Sequence, residues 1–300
     1  MRYEEWAPPA ELRGLVHRLW LLRGAGAPGS APFQRVMPDG RAELIFNLAD
    51  PFECRDGDGI RAQPPALLVG PNRRAMEIRA TGCVDLVGVR FRPEALSAWL
   101  RVDGGELLDR ACALGELPAP LDRTLAEQLA EADSVSRLAI LRRHLALEAS
   151  RVAFDRRIGA AVDLALTDGG ARPAAIAAAV GMSYRQLSRR FRQTMGFGPK
   201  PLVRLGRFQR ALRALEGPGR RSVAAVAVRA GYFDQAHLAR DFRLFAAVTP
   251  ARYLRETREL ARNFIADLES GPQPVIGCCV HHSPCHPRPR EHEGKGSARS

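Results

Sequence analysis

Arginine side chains recur at helical spacing in two stretches of this sequence that repeat one another. Intervals of three and four residues place side chains on one face of a helix. Arginine can donate two hydrogen bonds to guanine and can neutralise phosphate groups, so such a face suits double-stranded DNA. The face in the first stretch holds Arg185, Ser188, Arg189 and Arg192, and the face in the second holds Ala236, Ala239, Arg240 and Arg243.

Each of these helices follows a shorter helix and a glycine turn. The first copy has Gly181 at the turn and then Ser183, whose side chain can cap the next helix together with Gln186. The second copy has Gly231 at the turn and Asp234 as the cap, with one residue inserted before its helix. Two short helices joined at a glycine turn are typical of a helix-turn-helix, and the repetition favours this interpretation over ordinary helical hairpins.

The positive charge of the chain is concentrated in the same region. Residues 151–270 hold 22 Lys and Arg against 10 Asp and Glu, whereas residues 1–150 hold 19 against 21. A compact basic half beside a near-neutral half is typical of a polyanion-binding module joined to another domain. The alternative is an arginine-rich composition with solvated arginine faces, since only two lysines occur in the chain.

The first half predicts a small β-sandwich or barrel followed by a helical hairpin. Four β-like runs alternate with turn signals between residues 33 and 92, namely "RAELIFNL", "PALLVGPN", "AMEIRATG" and "VDLVGVRFRP". The hairpin that follows has a predicted cap at Asp133. Its two leucine stripes are Leu121, Leu125 and Leu129, and Leu138, Leu141 and Leu145.

These patterns predict an α+β fold with two domains and a tail. Residues 1–151 form the β-rich domain, and residues 156–262 form an all-α double helix-turn-helix domain. Residues 271–300 are dense in Pro, Gly and Ser and predict a disordered tail. We expect a cytoplasmic protein without membrane contact, because neither a leader peptide nor an apolar run of about 18 residues is visible.

Metal and enzyme chemistry finds little support in the residue pattern. Residues 1–150 hold only His17 and His144, both in helix-like contexts, so a cupin metal site of two histidines and a carboxylate is not predicted. The cysteines and histidines of the tail lack the spacing of a zinc site, which favours adventitious metal binding over a redox-sensing tail. Because no nucleophile with its base and no phosphate loop is visible, neither a catalytic residue nor a cofactor is predicted.

Residues 156–256 resemble the DNA-binding domain of the AraC/XylS transcriptional regulators. The resemblance lies in "IAAAVGMSYRQLSRRFRQTMGFGPKPLVRLGRFQRAL" and "VAVRAGYFDQAHLARDFRLFAAVTPARYL". It implies seven helices, in which a central helix from about Pro201 to Leu215 joins two units and places two recognition helices in successive major grooves. The base contacts it implies are Tyr184, Arg185, Ser188 and Arg189 in the first unit, and Gln235, Ala236, His237 and Arg240 in the second. Arg192 and Arg243, on the outward faces of the same helices, complete the predicted DNA-binding residues.

Two residues depart from the pattern of that family. Ala247 stands where a glycine is usual, which predicts a tight or slightly strained turn after the second recognition helix. Gly206 lies within the central helix and is expected to soften it. Neither residue changes the assignment of the two units.

The first half resembles, less specifically, the N-terminal domains of one branch of these regulators, through "MPDGRAELIFNL", "GPNRRAMEIRATG" and "GVRFRPEAL". The resemblance implies that this half senses a small-molecule effector or mediates dimerisation. The leucine stripes are interpreted as a homodimer contact or, alternatively, as core. Four polar residues in the predicted strands are interpreted as facing solvent rather than as lining an effector pocket: Glu43, Asn47, Arg79 and Arg90.

The resulting hypothesis is a sequence-specific DNA-binding transcription regulator, taken as an activator. Its expected partners are double-stranded DNA, RNA polymerase, a small-molecule effector and a second copy of the chain. The alternative is a β-domain enzyme, or a metal or redox sensor, that the helical half only anchors. Turnover or stoichiometric metal binding by the first half would favour that alternative.

Overall fold

The computed structural model describes residues 2–25, 32–57, 59–117, 124–150, 152, 155–167, 171–217 and 222–256. In these ranges the first half of the chain is a β-sandwich with flanking helices, and the second half is helical. The predicted α+β fold with two domains is therefore confirmed. The predicted tail and Leu121 lie outside the described residues.

Antiparallel strands form two sheets in the first half. The strands are β1 (Arg2–Trp6), β2 (Val16–Ala25), β3 (Gln34–Val36), β4 (Glu43–Asn47), β5 (Phe52–Asp56), β6 (Gly59–Ala62), β7 (Ala66–Val69), β8 (Met76–Ala80), β9 (Cys83–Phe91) and β10 (Ala111–Ala113). One sheet has the order β1-β2-β9-β4-β7-β10, and the other has the order β3-β8-β5-β6. The four β-like runs of the sequence correspond to β4, β7, β8 and β9.

Side chains alternate between two packed layers along these strands. On β4, Leu44 and Phe46 are completely buried against the helices of the first half. Ile45, between them, packs with Trp20 and Phe52 in a smaller core between the two sheets. The larger sheet is thus covered on both faces.

Strand β2 was not predicted, and the placement of His17 in a helix-like context was wrong. His17 lies on β2, which pairs with β1 on one side and β9 on the other. Leu19 and Leu21 face the helices, while Trp20 packs toward the second sheet. Because both faces are covered, the middle of the strand, Leu19 to Leu22, is apolar throughout and lacks the alternation by which strands are recognised.

The helices of the first half are α1 (Leu96–Leu100), α2 (Gly104–Leu107), α3 (Thr124–Glu131) and α4 (Ser134–Ala149). The predicted cap of the hairpin is confirmed, since the Ser136 amide donates to Asp133 Oδ1 at 2.8 Å. Four of the stripe leucines are buried in the core under the larger sheet: Leu125, Leu129, Leu141 and Leu145. These leucines therefore pack within the domain, and they offer no exposed surface for a homodimer.

Six helices with defined ends and a further helical segment at 250–256 make up the second half within its described ranges. They are α5 (Arg156–Thr167), α6 (Pro173–Ala179), α7 (Tyr184–Met195), α8 (Pro199–Glu216), α9 (Val223–Arg229) and α10 (Gln235–Ala246). One core joins them, in which the Phe208 ring of α8 lies 5.0 Å from the rings of Phe242 and Phe245. No helix in the described ranges is long and apolar enough to cross a membrane.

The central helix α8 is continuous, and Gly206 serves its packing. A Cβ at this position would lie 2.6 Å from the Ala165 carbonyl oxygen and 2.8 Å from Leu166 Cα. Glycine therefore lets α8 approach α5 closely. The expected strain at Ala247 is present, because this residue adopts a left-handed backbone with φ of 58°.

The two halves are in direct contact at the ends of α7 and α10. A Cβ on Gly104 would lie 2.5 Å from the Met195 amide nitrogen, so α2 meets the end of α7 at a distance that only glycine permits. The Ala75 amide donates to the Phe245 carbonyl at 2.6 Å near the end of α10. Each of these helices thus touches the β-rich half at its C-terminal end.

Candidate nucleic-acid interface

Helix α7 begins at the capping box that the sequence predicts. The Gln186 amide donates to Ser183 Oγ at 3.2 Å, and the Ser183 amide donates to Gln186 Oε1 at 2.9 Å. These bonds satisfy two backbone groups at the start of the helix and fix the direction in which it leaves the turn. Gly181 precedes the cap with φ of 65°, a conformation that glycine adopts without strain.

One side of α7 is buried and the other is exposed. Leu187, Phe191 and Met195 are completely buried in the core of the helical half. The exposed side holds Tyr184, Arg185, Arg189 and Arg192. The side chains of these three arginines have no ion pair or hydrogen bond among the described residues, so their donors are available to a ligand.

Ser188 does not lie on this exposed side. Its side chain is 8% exposed, and its hydroxyl has no hydrogen-bond partner among the described residues. The placement of Ser188 on the outward face was therefore wrong. Helical spacing puts it at the border between the two faces, where the packing of neighbouring helices decides which residues are covered.

Helix α10 repeats the arrangement with a different cap. The His237 amide donates to Asp234 Oδ1 at 2.6 Å, which starts the helix after Gly231. The exposed residues are Gln235, Ala236, Arg240 and Arg243, and both arginines lack a partner within the described part of the chain. His237 is half-buried, with its ring edge-on to Tyr232 at 5.1 Å.

Arginines in the first half are used differently. Arg90 donates to Glu43 at 2.6 Å, and Arg79 donates to Glu53 at 2.6 Å. These side chains are half-buried and paired, so the interpretation of Glu43, Arg79 and Arg90 as facing solvent was wrong. The lack of ion-pair partners on α7 and α10 is therefore not a general property of the arginines in this chain.

A buried carboxylate on α10 pairs with an arginine of α8. Asp241 is 1% exposed, and its Oδ1 accepts a hydrogen bond from Arg204 Nη2 of α8 at 2.5 Å. Burial, followed by the nearby Asp241 carboxylate, raises the pKa of Tyr232 above its ordinary value. Sequence reasoning missed this group, because Asp241 falls among apolar residues of the buried stripe and its partner lies 37 residues earlier.

A cavity of about 940 Å³ lies between the β-rich half and helices α8 and α10. Its apolar lining includes Met76, Leu205 and Phe245, and its charged lining includes Arg74, Arg204, Asp56, Asp109 and Glu116. Among the described residues no group of His, Cys, Asp and Glu side chains could hold a metal ion. The cavity therefore offers contacts to an apolar group and to charged groups of either sign.

Two family models match the chain. Residues 4–113 match a domain of unknown function (DUF6597), and residues 176–256 match a helix-turn-helix domain. The second match contains both turns and both arginine-bearing helices. No curated protein is significantly similar to the chain.

Several solved structures are similar to the chain. ToxT from Vibrio cholerae is 9% identical with a TM-score of 0.46, and the match covers 79% of this chain and 98% of ToxT. An AraC-type regulator from Chromobacterium violaceum is 28% identical with a TM-score of 0.32, over 34% of this chain and 92% of its own. A DNA-binding dual regulator from Escherichia coli K-12 is 25% identical with a TM-score of 0.30, over 34% of this chain and 90% of its own.

The family match falls on the segment whose geometry provides two capped helices with unpaired arginines. Residues 176–256 are therefore a helix-turn-helix domain, and the chain is a DNA-binding transcription regulator.

Proposed function

We propose that α7 and α10 are the two recognition helices and that they enter successive major grooves on one face of the DNA. The observation that carries this proposal is the set of unpaired arginines on both helices, in a chain whose first half pairs many of its arginines. Recognition helices of this class contact base edges with residues near their N-terminal ends. Neighbouring grooves on one face of B-DNA lie about 34 Å apart.

The exposed positions divide by their place along each helix. Residues of the first two turns are assigned to base edges: Tyr184, Arg185 and Arg189 on α7, and Gln235, Ala236 and Arg240 on α10. Residues of the last turn, Arg192 and Arg243, are assigned to phosphates. His237 is a weaker candidate because its ring packs on Tyr232, and Ser188 is a weaker candidate because its side chain is buried.

The experiment measures DNA affinity for the full-length chain and single variants, using duplexes selected from a random library. Arg189→Ala and Arg240→Ala should each weaken binding to the selected site by about 1–3 kcal/mol and relax preference at one position. Arg13→Ala is the matched control, since Arg13 is an exposed arginine of the first half without a described partner. Equal losses on selected and random duplexes would show phosphate contacts, and unchanged binding would refute the assignment.

We further propose that the cavity binds the small-molecule effector. The apolar lining favours a molecule with an apolar body, and Arg74, whose side chain has no described partner, favours an anionic group on it. The probe is anilinonaphthalene sulfonate, which has both features. Its fluorescence should rise on binding to the wild type and much less with Arg74→Ala, because Arg74 lines the cavity and has no described partner. An equal rise with both proteins would exclude this cavity as the binding site.

The other expected properties follow from this role. A cytoplasmic location would give the protein access to chromosomal DNA. The proposed role further includes contact with RNA polymerase as an activator, and no catalysed reaction. Homodimerisation remains a prediction, and sedimentation of the full-length chain at micromolar concentration tests it. Stoichiometric metal or turnover in the first half would instead support an enzyme or a metal sensor anchored by the helical half.

A further inference from the structure

Phe233 is a large apolar side chain that is 90% exposed directly before the cap of α10. Single exposed apolar residues are common on protein surfaces, so exposure alone indicates nothing. The surroundings of Phe233 make it unusual. The preceding residue, Tyr232, is buried, and the following residue, Asp234, holds the helix cap. Because both neighbours are fixed, Phe233 is held outward by the backbone.

Comparison of the two units shows that Phe233 is the inserted residue of the second copy. The Met182 amide donates to the Ala177 carbonyl at 2.9 Å, and the Tyr232 amide donates to the Ala227 carbonyl at 2.9 Å. Met182 and Tyr232 are therefore equivalent. The helix cap comes immediately after Met182 in the first unit, whereas Phe233 intervenes in the second. The first unit has no counterpart of this ring.

The core of the second unit does not need Phe233. Tyr232 already fills the position of Met182, with its ring edge-on to His237 and with Arg207 5.4 Å from its centroid. No ring or cation contact involves Phe233 among the described residues. The inserted ring thus adds apolar surface at the N-terminal end of α10, where the exposed residues Gln235 and Ala236 begin.

We propose that Phe233 is an apolar DNA contact that meets the methyl group of a thymine in the major groove. The proposal rests on the entry of α10 into that groove, as proposed above. The thymine methyl is the apolar group that base pairs present in the major groove, and phenylalanine is among the side chains that contact it. The phenyl ring has no polar atom with which to bind a phosphate or a hydrogen-bonding base edge. The second unit therefore reads one thymine through a residue that has no equivalent position in the first unit.

The test uses the full-length chain and a duplex selected from a random library, in which each thymine is replaced in turn by deoxyuridine. Loss of one methyl contact should weaken wild-type binding about fourfold at one position. Phe233→Ala should weaken binding to the parent duplex by at least about fourfold and should show no further loss at that position. Phe233→Leu, which keeps an apolar contact, should retain the dependence on the methyl group.

Val135→Ala is the control, since Val135 is 79% exposed on α4 of the first half. Arg240→Ala is measured in parallel, because its loss of affinity tests the entry of α10 independently. If Arg240→Ala weakens binding and Phe233→Ala does not, the contact is refuted while the role of α10 stands. Equal losses on selected and random duplexes, or a methyl dependence that persists in Phe233→Ala, also refute it. Unchanged binding by both variants overturns both proposals.

Discussion

Replacing Arg204 by methionine should destabilise the helical half more than replacing Asp241 by asparagine, although both changes remove the same ion pair. The Asp241 side chain is 1% exposed, whereas the Arg204 side chain is 42% exposed. In Asp241→Asn the remaining arginine can turn toward water. In Arg204→Met a carboxylate stays buried without its cation, and its other oxygen already lacks a hydrogen-bond partner among the described residues.

The solvent exposures of the Asp241 and Arg204 side chains determine how far the two variants differ in stability. Removing one partner of a fully buried pair costs about 3–5 kcal/mol. Because Arg204 is partly solvated, water screens the pair, and we expect a loss of about 2–3 kcal/mol for Arg204→Met. For Asp241→Asn we expect about 1 kcal/mol, the net value of a typical hydrogen bond. The two variants should therefore differ by about 1–2 kcal/mol in the free energy of unfolding.

The assay is urea denaturation followed by circular dichroism at pH 7. Arg74→Met is the control, since Arg74 also lines the cavity and has no described partner. Equal losses of unfolding free energy for Arg204→Met and Asp241→Asn would refute this account.

Three further changes test other parts of the structure. Gly104→Val should destabilise the full chain by about 1–3 kcal/mol in the same denaturation assay, because the valine side chain would overlap the Met195 backbone. Gly115→Ala is the control and should be neutral, because no atom lies within 4 Å of the added Cβ. Burial, followed by Arg41, Arg18 and Arg90, lowers the pKa of His17 to about 4, so the neutral ring contributes stability above about pH 6.5 that is lost as the pH falls toward 4. The full shift corresponds to about 3 kcal/mol, but water screens the half-buried ring, so we expect a loss of about 1–2 kcal/mol. In the same denaturation assay His17→Gln should remove this part of the pH dependence. Ala247→Gly should raise the melting temperature by relieving about 1 kcal/mol of left-handed backbone strain, and an unchanged or lower value would show that the turn is not strained.

The helix-turn-helix units could be predicted from the sequence because their signals are local. Ser183 and Gln186 form the capping box within four residues, and Gly181 occupies the left-handed turn immediately before it. Asp234 caps α10 in the same way. In these segments the bonds that fix the backbone join residues a few positions apart, so residue type and spacing carry the information.

The remaining features depend on contacts between distant segments. Strand β2 is covered on both faces by elements far away in the chain, which removed its alternating pattern. Ser188 is buried although its helical position is at the border of the exposed face. The Arg204 and Asp241 pair joins two helices, and neither residue has a local motif. Spacing along one element cannot reveal which neighbour will cover it.

Among the described residues, the contacts between the two halves leave the arginine-bearing faces of α7 and α10 exposed. The β-rich half meets α7 through Gly104 and meets α10 through Ala75, in both cases at the C-terminal end of the helix. The residues assigned to base edges lie toward the opposite end. A molecule bound in the cavity would therefore act on α10 through Arg204 or the Ala75 hydrogen bond. It would not cover the residues that are assigned to base contacts. Regulation by the first half would then change the position of a recognition helix rather than block access to it.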